Sequence, residues 1–264
     1  MWIAQLSDPH LRPAGQLLKD VVDSNAAFAA AIAQVNALDP LPDLVLLSGD
    51  LTEHGTPAEY AMGRALLASL RPPLLAIPGN HDDREGFRAS FAKAGYLPPT
   101  GPLHYAVTVG PLRIVALDVT VPGQHHGEVT AAALEWLAGQ LAAAPAQPTL
   151  LMLHQPPISC GIPYLDTYRC FGEAGLAALL RQYPAVERVL CGHVHRAMQQ
   201  RFGGTLLCTA PSTATAIALR TRPQAKPAST LGPAAFLLHH WRPGEGVLTH
   251  HVPIGVFPGP FGFA

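Results

Sequence analysis

Along the first two hundred positions, short apolar runs alternate with stretches in which apolar residues recur every three or four places. Trp2–Leu6, apolar but for Gln5, and the unbroken apolar runs Leu44–Leu47 and 74–77 are of strand length, the pattern of strands buried on both faces. Between the first two, Phe28, Ala31, Ile32, Val35 and Leu38 follow a helical period, with Ser24 as the expected cap. Pro57 suits the first turn of a second helix carrying Tyr60, Ala61 and Leu67. The runs 103–109 and 112–117 predict a strand pair turning at Gly110-Pro111. Thr130 caps a helix with Leu134, Leu137 and Leu141 on one face, and 149–153 is the next strand. A helix around 173–183 leads into a strand at 189–191. Beyond residue 200 the helical period stops. There 201–209, 215–219, 235–241 and 247–252 read as strands, and 222–233, rich in Pro, Lys, Ser and Gly, reads as a mobile loop.

The chain is therefore expected to be α/β in its first part (1–200) and β-rich in its last (201–264), with no separating linker and so one domain over 1–264. Composition narrows this little. Of 264 residues, 48% are apolar, enough for a sizeable core. Seventeen basic residues against 18 acidic ones provide no excess charge for gripping nucleic acid, and no apolar run is long enough to span a membrane. The N-terminus lacks a basic leader before its first strand. Four cysteines without a Cys-x-x-Cys pair read as reduced thiols, which points to the cytoplasm. The 13 histidines are the unusual count, and five of them fall in short motifs.

Each motif follows an apolar run. Ser7-Asp8-Pro9-His10 ends the first, Ser48-Gly49-Asp50 the second and Pro78-Gly79-Asn80-His81-Asp82 the third. His154 ends the run 149–153, and Gly192-His193-Val194-His195 ends the run 189–191. In α/β sheets the carboxyl edge is where loops from several strands converge on a ligand. Asp8 and His10, like His193 and His195, are two residues apart, so in extended chain each pair faces one way. Carboxylate, amide and imidazole donors without thiolates favour Mn, Fe, Zn or Co and argue against a structural zinc site.

These motifs resemble those of the calcineurin-like metallophosphoesterase superfamily. Gly49-Asp50-Leu51-Thr52 with Gly55 and Glu59-Tyr60 resembles its cyclic-nucleotide phosphodiesterase and glycerophosphodiesterase branch. So do His154-Gln155-Pro156-Pro157, Cys191 through Arg196, Pro211-Ser212-Thr213 and the tail Ile254 through Pro260. The resemblance implies two mixed sheets packed as a sandwich between helices, four layers in all, with 201–264 completing the second sheet. It implies one metal held by Asp8, His10, Asp50 and His195 and another by Asp50, Asn80, His154 and His193, with Asp50 and a hydroxide bridging them. The two ions would be divalent or trivalent: Fe or Mn, with Zn or Co as alternatives.

The implied reaction is in-line hydrolysis of a small phosphodiester, with 3',5'-cyclic AMP or GMP first, a glycerophosphodiester second, and a non-catalytic scaffold as the reading from another class. Substrate would meet His10, Asp50, Asn80, His81 and His195. His81, Asp50 and Asn80 would be catalytic, His81 as the imidazole beside the leaving oxygen. Relatives of this kind often form dimers or larger assemblies. Some positions stay open. Asp82 either orients a neighbouring histidine or caps the helix after it. Arg196 meets a phosphate or a surface carboxylate, and His54 lies above the metals or in solvent. In 159–172, Tyr168 stacks on a base or packs on a partner, and Arg169 holds a phosphate or does the same.

Overall fold

The computed structural model describes residues 1–259 and 261–262, so Pro260, the end of the tail motif, lies outside the described residues. Two mixed sheets face each other. The first runs in the order Gly246–Pro253, Ala235–Arg242, Trp2–Leu6, Leu44–Leu47, Leu74–Ala76. Its last three strands are parallel, and the two C-terminal strands join antiparallel beside Trp2–Leu6. The second runs in the order Met198–Phe202, Thr205–Thr209, Val186–Cys191, Thr149–Met152, Leu112–Ala116, Tyr105–Val109, antiparallel only at its two ends.

Period-two alternation divides each strand between two cores. Leu44 and Leu46 point inward with Ile3, Ile114, Leu150, Met152 and Leu190, filling the space between the sheets. Val45 and Leu47 point outward with Ala4 and Leu6 against Phe28, Ile32 and Val35 of the helix Ser24–Asn36. On the other side Val115, Leu151 and Val189 meet Leu137 and Leu141 of the helix Ala131–Ala143 and Leu176 and Leu180 of Glu173–Leu180. The result is the helix, sheet, sheet, helix layering that the resemblance implies.

The structure also corrects several expectations. The strands after residue 200 serve both sheets rather than completing the second, because 235–253 pairs with the N-terminal strand. The run 201–209 is part of a hairpin that reverses at Gly203-Gly204, both at positive φ. Of 215–219 only Ala216–Ile217 is a strand, paired with Ser229–Thr230 from within the expected loop. The cap of the first helix is Asp23, whose carboxylate accepts from Ala26 N at 2.9 Å. Thr56 and Glu59 form a reciprocal capping box at Pro57–Leu67.

Candidate metal centre

Strand ends deliver the motif residues to one place. After Leu6, Leu47, Met152 and Cys191 the chain leaves the sheets, and Asp8, Asp50, His154 and His193 follow within a few residues. Five side chains of the group stand on left-handed backbone: Asp8, His10, Asp50, His193 and His195, with φ from 47° to 68°. Asp and His tolerate this conformation better than most residues, at a cost that functional sites often carry. Glycines clear the approach. A Cβ on Gly49 would lie 2.2 Å from His154 Nδ1, one on Gly79 2.1 Å from Asp50 Oδ1, and one on Gly192 2.2 Å from Ser7 Oγ.

Three groups of donor atoms result, the atoms of each lying within 4.8 Å of one another: Asp8, His10, Asp50 and His195; Asp50, His154 and His193; and His10, Glu53 and His81. Asn80 joins the second through its Oδ1, 2.9 Å from His193 Nδ1. The ring nitrogens facing away are occupied. His154 Nδ1 is 2.7 Å from the Ser48 carbonyl, and His195 Nδ1 is 3.0 Å from that of Thr215. His10 Nδ1 is 2.7 Å from Glu53 Oε2. Carbonyls and carboxylates only accept, so these rings carry a proton on Nδ1 and, when neutral, a lone pair on Nε2.

Those lone pairs point at one another and at carboxylates. His10 Nε2 is 3.0 Å from His195 Nε2 and 3.6 Å from Asp50 Oδ2. His195 Nε2 is 3.5 Å from Asp8 Oδ1. His154 Nε2 is 3.2 Å from Asp50 Oδ2, buried without a well-directed partner, as is His193 Nε2. Such convergence of acceptors in a buried site is repulsive unless positive charge sits among them. The donor set, nitrogen and oxygen with no thiolate, fits a pair of first-row transition ions.

The metal-free electrostatics carry the same demand. Burial pushes up the carboxyl of Asp50, but His154, His81 and His10 outweigh it and hold it well below the ordinary carboxylate range. Asp8 is pushed up to about 6 by burial and the Asp50 charge, against the pull of His154. Burial disfavours a charged His154, yet Asp50 and Asp8 raise it to about 9. His193 is lowered to about 3, by burial and then by the His154 charge. Two buried carboxylates beside His154 thus favour positive charge among these groups.

Around these groups lies a cleft of about 210 Å³, lined by Asn80, His81, His125, Tyr164 and Tyr168 among others. His81 Nδ1 is 2.9 Å from the carbonyl of Glu53, and Asn80 Nδ2 is 3.1 Å from His125 Nδ1. Of the eight strand-end residues singled out in the sequence, His10, Asp50, Asn80, His81, His193 and His195 line this cleft, and Asp8 and His154 are buried behind it against His195 and Asp50. Glu53, Lys19, His125 and Tyr164 are there too, without a motif to announce them.

The open positions resolve individually. Asp82 neither contacts a histidine nor caps a helix; Asp83 is the cap, through Gly86 N. Asp82 accepts instead from Leu51 N, Thr52 N and Gly79 N. Arg196 reaches the carbonyl of Ile217, and His54 faces solvent beside Arg12. Arg169 turns to Glu173 and the Phe171 ring, while Tyr168 borders the cleft against His125. All four cysteines are free thiols, and among the described residues no helix is long and apolar enough to cross a membrane.

Comparison with known proteins agrees with this geometry. The model of the calcineurin-like phosphoesterase family matches residues 1–197. The glycerophosphodiester phosphodiesterase GpdQ of Enterobacter lignolyticus is 31% identical over 269 residues, covering 99% of this chain and 94% of the relative. The 3',5'-cyclic adenosine monophosphate phosphodiesterase CpdA of Escherichia coli is 32% identical over 212 residues, covering 80% and 75% respectively. Among solved structures, a dimetal phosphatase from Danio rerio superposes with a TM-score of 0.66 at 13% identity, covering 97% of this chain and 99% of that one; it attests the fold alone.

Proposed function

The chain belongs to the calcineurin-like phosphoesterase family, and from that premise we propose that it hydrolyses small phosphodiesters at a dinuclear metal centre, with glycerophosphodiesters first and 3',5'-cyclic nucleotides second. The observation that carries the reading is the convergence of three imidazole Nε2 atoms on the carboxylates of Asp8 and Asp50. Asp8, His10, Asp50 and His195 would hold one ion, and Asp50, Asn80, His154 and His193 the other. Iron or manganese suits these donors, with zinc or cobalt as alternatives. Bound there, the ions supply Lewis acidity toward the phosphoryl oxygens and a nucleophile at neutral pH.

The chain's own groups do the rest. Asn80 and His81 border the cleft side by side, where the phosphoryl group must sit. With Nδ1 fixed on the Glu53 carbonyl, a protonated His81 can present Nε2–H to the leaving alkoxide. The side-chain wall of Tyr164, Leu165 and Tyr168 packs against the organic substituent.

The reach of the alignments supports placing glycerophosphodiesters ahead of the cyclic nucleotides that the motifs alone favour. The E. lignolyticus relative aligns across nearly the whole chain, including the C-terminal strands, whereas the E. coli relative aligns over four-fifths. Four free thiols accord with a cytoplasmic setting.

Chelator-stripped protein is expected to lose hydrolysis of bis(p-nitrophenyl) phosphate and regain it with Mn or Fe; activity that persists in chelator rejects the metal reading. On the restored enzyme, kcat/KM should be higher for glycerophosphoethanolamine than for cyclic AMP or a phosphomonoester. The reverse order between the two diesters returns the cyclic nucleotide to first place. Asn80→Ala should weaken occupancy of the second ion, and His81→Ala should lower kcat with both ions retained.

A further inference from the structure

Glu53 stands three residues beyond Asp50, on the segment leading to the helix Pro57–Leu67, and its side chain is only 13% exposed. It lies between two imidazoles. Its Oε2 is 2.7 Å from His10 Nδ1 and 3.5 Å from His81 Nδ1, and its backbone carbonyl is 2.9 Å from His81 Nδ1. Both rings are thereby given the same tautomer, Nδ1 protonated and Nε2 turned away from Glu53. They meet edge to face with centroids 4.7 Å apart. The outward Nδ1 atoms of His154 and His195 face the neutral carbonyl oxygens of Ser48 and Thr215. Among these histidines, His10 is the one whose outer nitrogen meets a carboxylate.

We propose that Glu53 is a positioning residue for diester hydrolysis: its side chain fixes the orientation of His10, and its backbone carbonyl that of His81. This rests on the phosphodiesterase reading above. A carboxylate behind a metal-facing imidazole both locks the ring and strengthens the donor atom at its far side. One residue therefore aims a ligand nitrogen of the first ion and the imidazole assigned to the leaving group. The division between side chain and backbone gives the proposal an internal control, because substitution removes the carboxylate and leaves the carbonyl. His10 should respond to a change at Glu53, and His81 should not.

The test uses Zn²⁺ as the probe. In the Zn²⁺-loaded wild-type protein, nitrogen NMR should show slowly exchanging Nδ1–H signals for both His10 and His81. In Glu53→Ala the His10 signal should move and exchange rapidly while that of His81 stays. Competition with a chromophoric chelator should show Zn²⁺ affinity at the first site falling about 10- to 100-fold, with the second site unchanged. Glu53→Gln keeps an accepting oxygen and should lose less affinity than Glu53→Ala. It also keeps the test open if the alanine variant does not fold. An unchanged His10 signal with affinity within about twofold of wild type in either folded variant overturns the proposal, as does a wild-type His10 protonated on Nε2 rather than Nδ1. Failure of wild-type protein to hydrolyse any diester would defeat the functional reading, while the NMR and Zn²⁺ titrations would still report whether Glu53 holds His10.

Discussion

Removing the carboxylate of Asp82 is predicted to cost the fold far more than loss of a surface charge. Its two oxygens accept from the backbone N–H groups of Leu51, Thr52 and Gly79 at 3.0–3.1 Å, and from the Thr52 hydroxyl at 2.8 Å. Leu51 and Thr52 follow Asp50, and Gly79 precedes Asn80, so one side chain ties the backbones of two motifs together. In Asp82→Ala the Thr52 hydroxyl can rotate, and Tyr60, also 3.3 Å away, keeps the Asp83 carbonyl at 3.0 Å. The three amides cannot turn. Each unsatisfied buried donor costs about 1–3 kcal/mol. Part is returned, because burial and the nearby Asp50 charge already raise Asp82 above the ordinary carboxylate range. A net loss of about 3 kcal/mol follows, large against the roughly 5–15 kcal/mol that holds a domain folded. Asp82→Asn should recover little, since its NH₂ group would face donors. Urea unfolding of metal-stripped protein measures this without the contribution of bound ions. A loss under about 1 kcal/mol in the alanine variant, or an asparagine variant as stable as wild type, refutes the reasoning.

Gly79→Ala should abolish tight metal binding, by about 100-fold or more in affinity, because its Cβ would lie 2.1 Å from Asp50 Oδ1 and 2.4 Å from Asp50 N. Gly139→Ala, in a helix with nothing within 4 Å of the new methyl, should instead stabilise by about 1 kcal/mol; equal metal affinity in both variants would defeat the steric argument. His239 is lowered to about 3 by burial and the Arg188 charge, against an ordinary 6.5, so the unfolded chain takes up this proton first. Its contribution is level above pH 6.5, falls by about 1.4 kcal/mol per unit between pH 6.5 and 3, and costs about 2 kcal/mol at pH 5. His239→Gln should remove that dependence, and parallel pH profiles of unfolding free energy for the two proteins would refute it.

The apolar runs revealed where the strands are, but not which strands lie side by side. Leu44–Leu47 is apolar at every position because both faces are covered, one by the opposing sheet and one by a helix. That explains why its length and place were legible while its faces were not. Nothing local to Ala235–Arg242 says that it pairs with Trp2–Leu6 from the far end of the chain. The hairpin at Gly203-Gly204 did carry a turn signal, concealed within a run with apolar residues on both sides. The cap expected at Ser24 lies one residue earlier at Asp23, and of the two roles left open for Asp82 the cap falls to Asp83, because adjacent residues offer side-chain oxygens at both places.

The site was more legible than the topology because its residues sit directly at strand ends, where the chain's direction is already set. Glu53 and His125 reach the cleft through the course of loops and Tyr164 from the short helix Pro163–Asp166, and no spacing rule encodes that course. The same geometry explains why the centre and the fold depend on each other. Five non-glycine residues of the site adopt left-handed backbone. At about 1–3 kcal/mol each, even the lower end of that range for Asp and His makes the combined strain comparable with the stability of a whole domain. Acceptors turned toward one another in a buried site add to it. Folding supplies compensation in the ties from Ser48, Thr215, Glu53 and Asp82, each of which holds a ring or a loop from behind. Cations placed between the acceptors would supply what those ties cannot, converting the repulsion among lone pairs into binding energy. The strained arrangement is thus the state that metal binding selects, and the surrounding hydrogen bonds hold the donors close to it before an ion arrives.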